Sequence, residues 1–255
     1  MKKFREGWEK FLNLLYPEFK CFICGREAYD LDRHLCEKCK SELPVITGNV
    51  CEMCGEPLPE GNRFCEECQR TTHFFDGARA PLAYNDVTHG LVRGLKYHNH
   101  KYVAKLLGKE MARMYEEWKI VADIIVPVPL HYKREIERGY NQSMVLAEAL
   151  SGNIGVPVED DLVTRVLETP TQTQLSKAQR AQNLKGAFDL NPNIDINGRT
   201  ILIVDDVFTT GATVDAIAKR LKRRKPKAVY VLTATKRLYF SAKKMSANKN
   251  EPKHE

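Results

Sequence analysis

Thirteen consecutive residues concentrate the polar chemistry of this chain: Ile201-Leu202-Ile203-Val204-Asp205-Asp206-Val207-Phe208-Thr209-Thr210-Gly211-Ala212-Thr213. An apolar run of this kind reads as a buried strand that delivers two adjacent carboxylates to its open end. A hydroxyl-rich turn with one glycine then leads directly into a helix. Free backbone N–H groups at a helix start, joined by the hydroxyls of Thr209, Thr210 and Thr213, suit a phosphate monoester. Asp205 and Asp206 suit vicinal sugar hydroxyls, directly or through a divalent cation. A ribose 5-phosphate offers both halves at once. Apolar residues followed by Asp-Asp also describe the second nucleotide motif of an ATPase, but that reading needs a Gly-x-x-x-x-Gly-Lys-Ser/Thr loop. Gly108-Lys109 is followed by Glu110, so the loop is missing.

A second chemistry sits near the start of the chain. All eight cysteines fall between Cys21 and Cys68, as the pairs Cys21/Cys24, Cys36/Cys39, Cys51/Cys54 and Cys65/Cys68. Cys-x-x-Cys-Gly opens each half of the segment, at Cys21–Gly25 and again at Cys51–Gly55. Two such turns supply four thiolates to one tetrahedral ion, so two structural zinc ions would use every thiol and leave no open coordination position. A disulfide framework needs an oxidising compartment, which nothing in the sequence supports. Spacing leaves open whether the pairs coordinate in series or cross over. His34 and His73 lie close by and read as spectators. A segment with so few apolar residues needs its metal to fold.

The elements that must position these groups follow from periodicity. Phe4, Trp8, Phe11, Leu12 and Leu15 predict an amphipathic helix over residues 3–16. From about Asp76 apolar strands alternate with amphipathic helices. Helices are expected over 101–118, 141–150 and 214–223, and strands over 124–129, within 156–166, over 200–204 and over 228–235. Continuous apolar strands joined by helices imply an α/β fold, with a parallel sheet covered by helices on both faces. Ligands in such sheets bind beyond the carboxyl ends of the strands. The expected organisation is an N-terminal helix over 1–19, a small zinc-ribbon domain over 20–75, the α/β domain over 76–238, and a basic, disordered tail over 239–255.

The 255 residues carry a net charge of +7, unevenly placed. Residues 219–255 hold thirteen Lys/Arg and two Glu, so the rest of the chain is mildly acidic. The densest stretch contains Lys222, Arg223, Arg224 and Lys225, which become the candidate nucleic-acid contacts; a solvated helix face is the plainer alternative. No apolar run approaches the roughly 18–20 residues needed to span a bilayer. Charges at Arg5, Glu6, Glu9 and Lys10 break any signal-peptide core, so a cytoplasmic location is expected.

The thirteen-residue motif resembles the 5-phosphoribosyl-1-pyrophosphate (PRPP) signature of type I phosphoribosyltransferases. More narrowly, the chain resembles the ComF family of competence-associated proteins. The supporting segments are the Cys-x-x-Cys-Gly front end, Gly94-Leu95-Lys96-Tyr97, Val126-Pro127-Val128-Pro129-Leu130-His131, Arg138-Gly139-Tyr140-Asn141-Gln142, and Leu175-Ser176-Lys177-Ala178-Gln179-Arg180 with Asn183. The resemblance implies a type I phosphoribosyltransferase-like sheet preceded by a zinc ribbon. It implies that Asp205 and Asp206, the candidate catalytic pair, hold the ribose hydroxyls while Thr209, Thr210, Gly211, Ala212 and Thr213 cradle the 5-phosphate. The turn Pro129-Leu130-His131 would approach the pyrophosphate, with Arg138 and Lys96 as candidate cations, Mg2+ accompanying PRPP, and residues 169–183 forming the loop that closes over the site.

Three functions follow from that resemblance. The first is a cytoplasmic DNA-uptake factor in natural transformation, handling single-stranded DNA beside a helicase-like ATPase and peripheral to the inner face of the membrane through the uptake machinery. The second is an active phosphoribosyltransferase acting on a base or amine acceptor, whose hood is not legible here; Tyr97, Tyr132 and Tyr140 are the aromatic candidates. The third is a PRPP-sensing regulator without turnover. His98-Asn99-His100 matches a nuclease motif in three letters only and reads as coincidence.

Overall fold

The computed structural model describes residues 21, 23–27, 35–97, 101–167, 184 and 186–239. The expected helix over 3–16, the closing loop over 169–183, His34, His98–His100 and nearly all of the tail lie outside the described residues. The chain divides into two compact units, Met1–Leu43 and Pro44–Glu255.

In the first unit, a tight turn brings the Gly25 N–H to the Cys21 carbonyl at 2.7 Å, and the short helix α1 (Glu37–Ser41) follows Cys36. Cys21, Leu35 and Cys39 are its buried apolar residues among those described. The second unit opens with the same turn repeated: Gly55 N–H meets the Cys51 carbonyl at 2.9 Å, and helix α2 (Glu66–Arg70) follows Cys65. The internal repeat of the sequence is therefore a repeat of local structure.

The rest of the second unit is an α/β sheet. Its elements are β1 (Gly77–Arg79), β2 (Leu82–Ala83), α3 (Asp86–Tyr97), α4 (Lys101–Trp118), β3 (Ile124–Pro127), α5 (Tyr132–Arg138), α6 (Gln142–Ile154), β4 (Val163–Arg165), β5 (Phe188–Leu190), β6 (Thr200–Phe208), α7 (Ala212–Leu221), a 3-10 turn (Lys222–Arg224) and β7 (Ala228–Lys236). The five-stranded sheet runs β1-β7-β6-β3, with β2 also on β7, and every pairing in it is parallel. Parallel strands need crossover connections, which the helices supply.

β6 and β7 are central and buried on both faces. Ile201, Ile203, Val229 and Val231 join Ile124, Val126 and the α7 residues Val214, Ile217 and Leu221 in one cluster. The alternate positions Leu202, Val204, Leu232 and Ala234 are equally buried, and α4 and α6 pack on the sheet with Leu107, Met111, Leu146 and Leu150. This is why these strands read as continuous apolar runs.

Three expectations are refined. β6 continues to Phe208, so Asp205 and Asp206 lie within the strand's last turn of pleat rather than beyond it. The strand placed within 156–166 is only β4, and it pairs antiparallel with β5 in a separate two-stranded sheet; Val158 makes a single bridge to Ile125. β1 and β2, with three and two residues, had no signal of their own. Truncating Ile203, which is fully buried at the centre of β6, is expected to cost about 3 kcal/mol. Urea unfolding of Ile203→Ala measures this, and a change within a few tenths of a kcal/mol would contradict the packing described.

Candidate functional site: a phosphate loop on a zinc-ribbon support

The site forms where β3 and β6 end side by side. Val128 N–H donates to the Val204 carbonyl at 2.9 Å, and Asn141 Nδ2 donates to the Val128 carbonyl at 3.0 Å. Asn141 also caps α6, accepting the Ser143 N–H at 3.0 Å. That cap turns the Ser143 hydroxyl toward the end of β6, where it donates to Asp205 Oδ1 at 2.9 Å. The Asp206 N–H donates to the same oxygen at 2.9 Å. Asp206 is buried, and Lys96 of α3 closes on its Oδ2 at 2.6 Å.

Two carboxylates and one ammonium therefore share a largely buried corner, which Lys96 keeps in contact with solvent. Burial first, and the Asp206 charge second, push the Asp205 carboxyl up to about 7. The Asp206 N–H, the Ser143 hydroxyl and Lys96 pull the other way without winning. Burial opposes the charge on Lys96, yet its contact with Asp206 outweighs that and holds the ammonium above its ordinary value.

The turn after β6 is fixed by Gly211. Gly211 stands at the N-cap of α7 with φ 76°, and a Cβ there would come within 2.8 Å of the Phe208 ring. Both conditions demand glycine. Thr209, Thr210, Ala212 and Thr213 are all partly exposed around it. α7 has ten residues, and its first-turn N–H groups face this turn.

The other candidates spread around this corner. Pro129 and Leu130 are partly exposed after β3, and His131 is buried, its ring 4.6 Å from Tyr132. Arg138 bonds to Gln142, and the Tyr140 hydroxyl donates to the Leu95 carbonyl, which ties α3 to the start of α6. Tyr140 is thereby packed as structure, whereas Tyr132 is exposed.

The basic stretch is divided. Lys222 pairs with Asp76 at 2.5 Å, and Arg224 donates to the carbonyls of Asn191 at 2.5 Å and Leu190 at 3.2 Å. These two hold the end of α7 in place, and only Arg223 and Lys225 stay exposed. Ser143 was not anticipated. The one signal for it was its position two residues after a cap-forming Asn.

The cysteines assemble in series, Cys21, Cys24, Cys36 and Cys39 in one set and Cys51, Cys54, Cys65 and Cys68 in the other. Within each set the sulfurs lie within 4.8 Å of one another. The Cys24–Cys36 and Cys54–Cys65 sulfurs are 3.6 and 3.7 Å apart. Bonds of about 2.3 Å to one tetrahedral zinc would put sulfurs about 3.8 Å apart, whereas a disulfide needs about 2.05 Å. The Cys65 N–H points at Cys51 Sγ at 3.4 Å, and Arg26 Nε points at Cys24 Sγ at 3.3 Å, as suits thiolates. Both donor sets fit zinc, which in a closed four-thiolate site is structural. His73 is no ligand: it stacks on Phe75 at 4.7 Å and pairs with Asp215 at 3.4 Å.

These features define a double-zinc-ribbon protein with a phosphoribosyltransferase-type domain. The double zinc ribbon domain family matches residues 11–69, and the phosphoribosyl transferase domain family matches residues 140–250. Among whole proteins, the chain is similar to Competence protein F of Haemophilus influenzae, with 30% identity over 80% of this chain and 91% of that one. The DNA utilization protein YhgH of Escherichia coli is 32% identical over 83% and 94%, and Competence protein ComFC of Bacillus subtilis is 29% identical over 80% and 84%. The chain belongs to the ComF family of competence-associated proteins.

Two outcomes are expected. Metal analysis of protein purified without chelators should find about two zinc per chain, and substantially fewer than one would contradict the closed thiolate sets. The raised Asp205 carboxyl means that the native state holds a proton the unfolded state has lost between the ordinary carboxylate range and about pH 7. Stability therefore falls as pH rises through that window. Asp205→Asn removes this loss, so its melting temperature relative to the native sequence should rise from about pH 5 to about pH 8; a constant offset would refute the assignment.

Proposed function

We propose that this protein acts in the uptake and handling of single-stranded DNA in natural transformation, with a PRPP-type ligand held on its phosphoribosyltransferase fold. The observation that carries the ligand is the continuity of one strand and one helix. Asp205 and Asp206 lie near the end of β6, and five residues after Asp206 Gly211 opens the N-terminus of α7. The carboxylates take the ribose hydroxyls, and the loop Thr209–Thr213 takes the 5-phosphate through N–H and hydroxyl donors.

In this reading Lys96, Arg138 and the Pro129–His131 turn would meet the pyrophosphate, and Mg2+ would enter with PRPP. Lys96 is committed to Asp206 until a ligand anion competes for it. Binding would therefore exchange one carboxylate partner for another anion in a low-dielectric corner. A transferase reading uses the same atoms and adds an acceptor; a sensing reading uses them without one.

The competence and DNA-utilization names of the relatives support the DNA role. A second surface supports it physically. Phe74 and Phe188 lie along a groove of about 550 Å³ beside α7, rimmed by Lys219, Arg220 and Arg223. Lys219 sits 4.8 Å over the half-exposed Phe74 ring. A half-exposed aromatic edge with cations along its rim suits the bases and phosphates of a single strand. Arg223 comes from the basic stretch, but Lys219 and Arg220 replace the structurally engaged Lys222 and Arg224. A helicase-like ATPase is the expected partner, at the cytoplasmic end of the uptake path.

Calorimetric titration of Mg-PRPP into the zinc-loaded protein should show saturable binding that Asp205→Asn/Asp206→Asn abolishes. Binding that survives both changes would overturn the ligand site. Pyrophosphate release with an acceptor would establish transfer, and binding without release would establish sensing. For DNA, Arg220→Glu/Arg223→Glu should weaken binding to an oligonucleotide and flatten the log K against log salt slope by about 1.4, two single-strand phosphate contacts. An unchanged slope would remove this groove from the DNA path.

A further inference from the structure

The second cysteine set does more than close its own loop. Cys54 is followed by Gly55, whose Cβ would meet the Ala78 carbonyl at 2.8 Å, so this turn lies flat on β1. Ala78 N–H donates to the Met53 carbonyl at 2.7 Å, and Arg79 donates from Nη1 to the carbonyls of Cys51 and Glu52, both at 3.1 Å. Cys51, Cys54 and Cys65 belong to the same core cluster as Ile203, Phe208 and Val214. The next residue, Glu56, is buried beneath the phosphate loop.

Glu56 makes two contacts there. Its Oε1 accepts the Tyr239 N–H at 2.8 Å, and its Oε2 lies 3.3 Å from the ammonium of Lys236, the last residue of β7. Lys236 is 1% exposed, and its ammonium stands 4.5 Å over the Phe208 ring and 5.7 Å from that of Tyr239. Phe208 is the ring on which Gly211 rests. The Tyr239 hydroxyl donates to the Thr209 carbonyl at 2.6 Å. A second branch leaves the same cysteine set through α2. The Phe74 N–H donates to Asp215 Oδ1 at 2.6 Å, His73 pairs with the other oxygen, and Phe75 meets Phe208 edge-on at 6.1 Å. Asp215 is in the first turn of α7.

The loop that would hold the phosphate is therefore gripped from below at Thr209, Phe208 and Asp215, each grip running back to the second cysteine set within a few residues. A buried ammonium and carboxylate are costly to place and hold a fixed geometry once paired. We propose that zinc occupancy of Cys51, Cys54, Cys65 and Cys68 is coupled to ligand binding at the phosphate loop, with Glu56, Lys236 and Tyr239 as the positioning residues. The inference rests on the phosphoribosyl reading for the ligand's identity. Coupling between two sites is reciprocal, so the ligand must also tighten the hold on the second zinc.

The test follows release of zinc to a chromophoric chelator, with and without saturating Mg-PRPP, in the full chain. One zinc equivalent should leave more slowly with ligand, by a factor of about 5 or more, while the other is unaffected. Cys21→Ser/Cys24→Ser assigns the phases by removing the first set. Tyr239→Phe, which deletes only the hydroxyl that holds Thr209, should keep both zinc ions, weaken Mg-PRPP binding several-fold and shrink the ligand's effect on zinc release. If the native protein binds Mg-PRPP yet loses both zinc ions at unchanged rates, the coupling is overturned while the phosphoribosyl reading stands. If Mg-PRPP does not bind, that reading fails instead, and amide hydrogen exchange decides the coupling alone. Exchange at 208–213 should quicken in Tyr239→Phe and on removing the second zinc; unchanged exchange in both would overturn it.

Discussion

Two adjacent carboxylates at the end of a strand buried on both faces set the terms for the rest of this molecule. Left alone, Asp205 and Asp206 would repel each other in a largely buried corner. The fold answers with three groups from three places: the Ser143 hydroxyl from the start of α6, the Asp206 N–H, and the Lys96 ammonium from the end of α3. None of them neutralises Asp205 fully, and its carboxyl stays raised. Hydroxyl donors or a cation placed beside the pair would favour the charged form of Asp205.

The two cysteine sets share local structure but differ in setting. The first stands in its own small unit, where metal must do the work that a hydrophobic core cannot. The second is welded to the sheet through β1 and contributes its sulfurs to the main core. The same local turn occurs twice, and among the described residues only the second copy packs into the main core. Glu56 marks the difference: no acidic residue follows Gly25, where the chain reads Arg26.

Much of this was legible because it is local. β6, β7, α4 and α7 declare themselves by apolar runs and helical periodicity, and the eight cysteines by spacing. The strand–turn–helix around Gly211 is fully local as well. β1 and β2 escaped because their stability comes from pairing with β7, about 150 residues away along the chain. Ser143, Glu56 and Tyr239 escaped for the same reason, since each acquires its role from a partner more than 25 residues distant. Lys236 did leave a trace: a lysine closing a largely buried strand asks for a buried counter-charge. Lys222 and Arg224 show the opposite failure. A basic run looks uniform in sequence, whereas the fold spends alternate members on carboxylates and carbonyls.

The faces of α7 divide by the helical repeat. Val214, Ile217, Ala218 and Leu221 fill the core, Asp215 holds the segment after the second cysteine set, and Lys219 and Arg220 turn outward near the C-terminus. Cations there already favour the helix through its dipole, so their presence alone says nothing of DNA. What the dipole does not require is an aromatic floor beside them. Phe74 is placed there by its own N–H bond to Asp215, one turn up the same helix. The bond that fixes the N-terminal turn of α7 under the phosphate loop thus also fixes the aromatic edge of the basic groove. Under the proposed function, a strand in the groove and a phosphoribosyl group at the loop would act on one helix from its two ends.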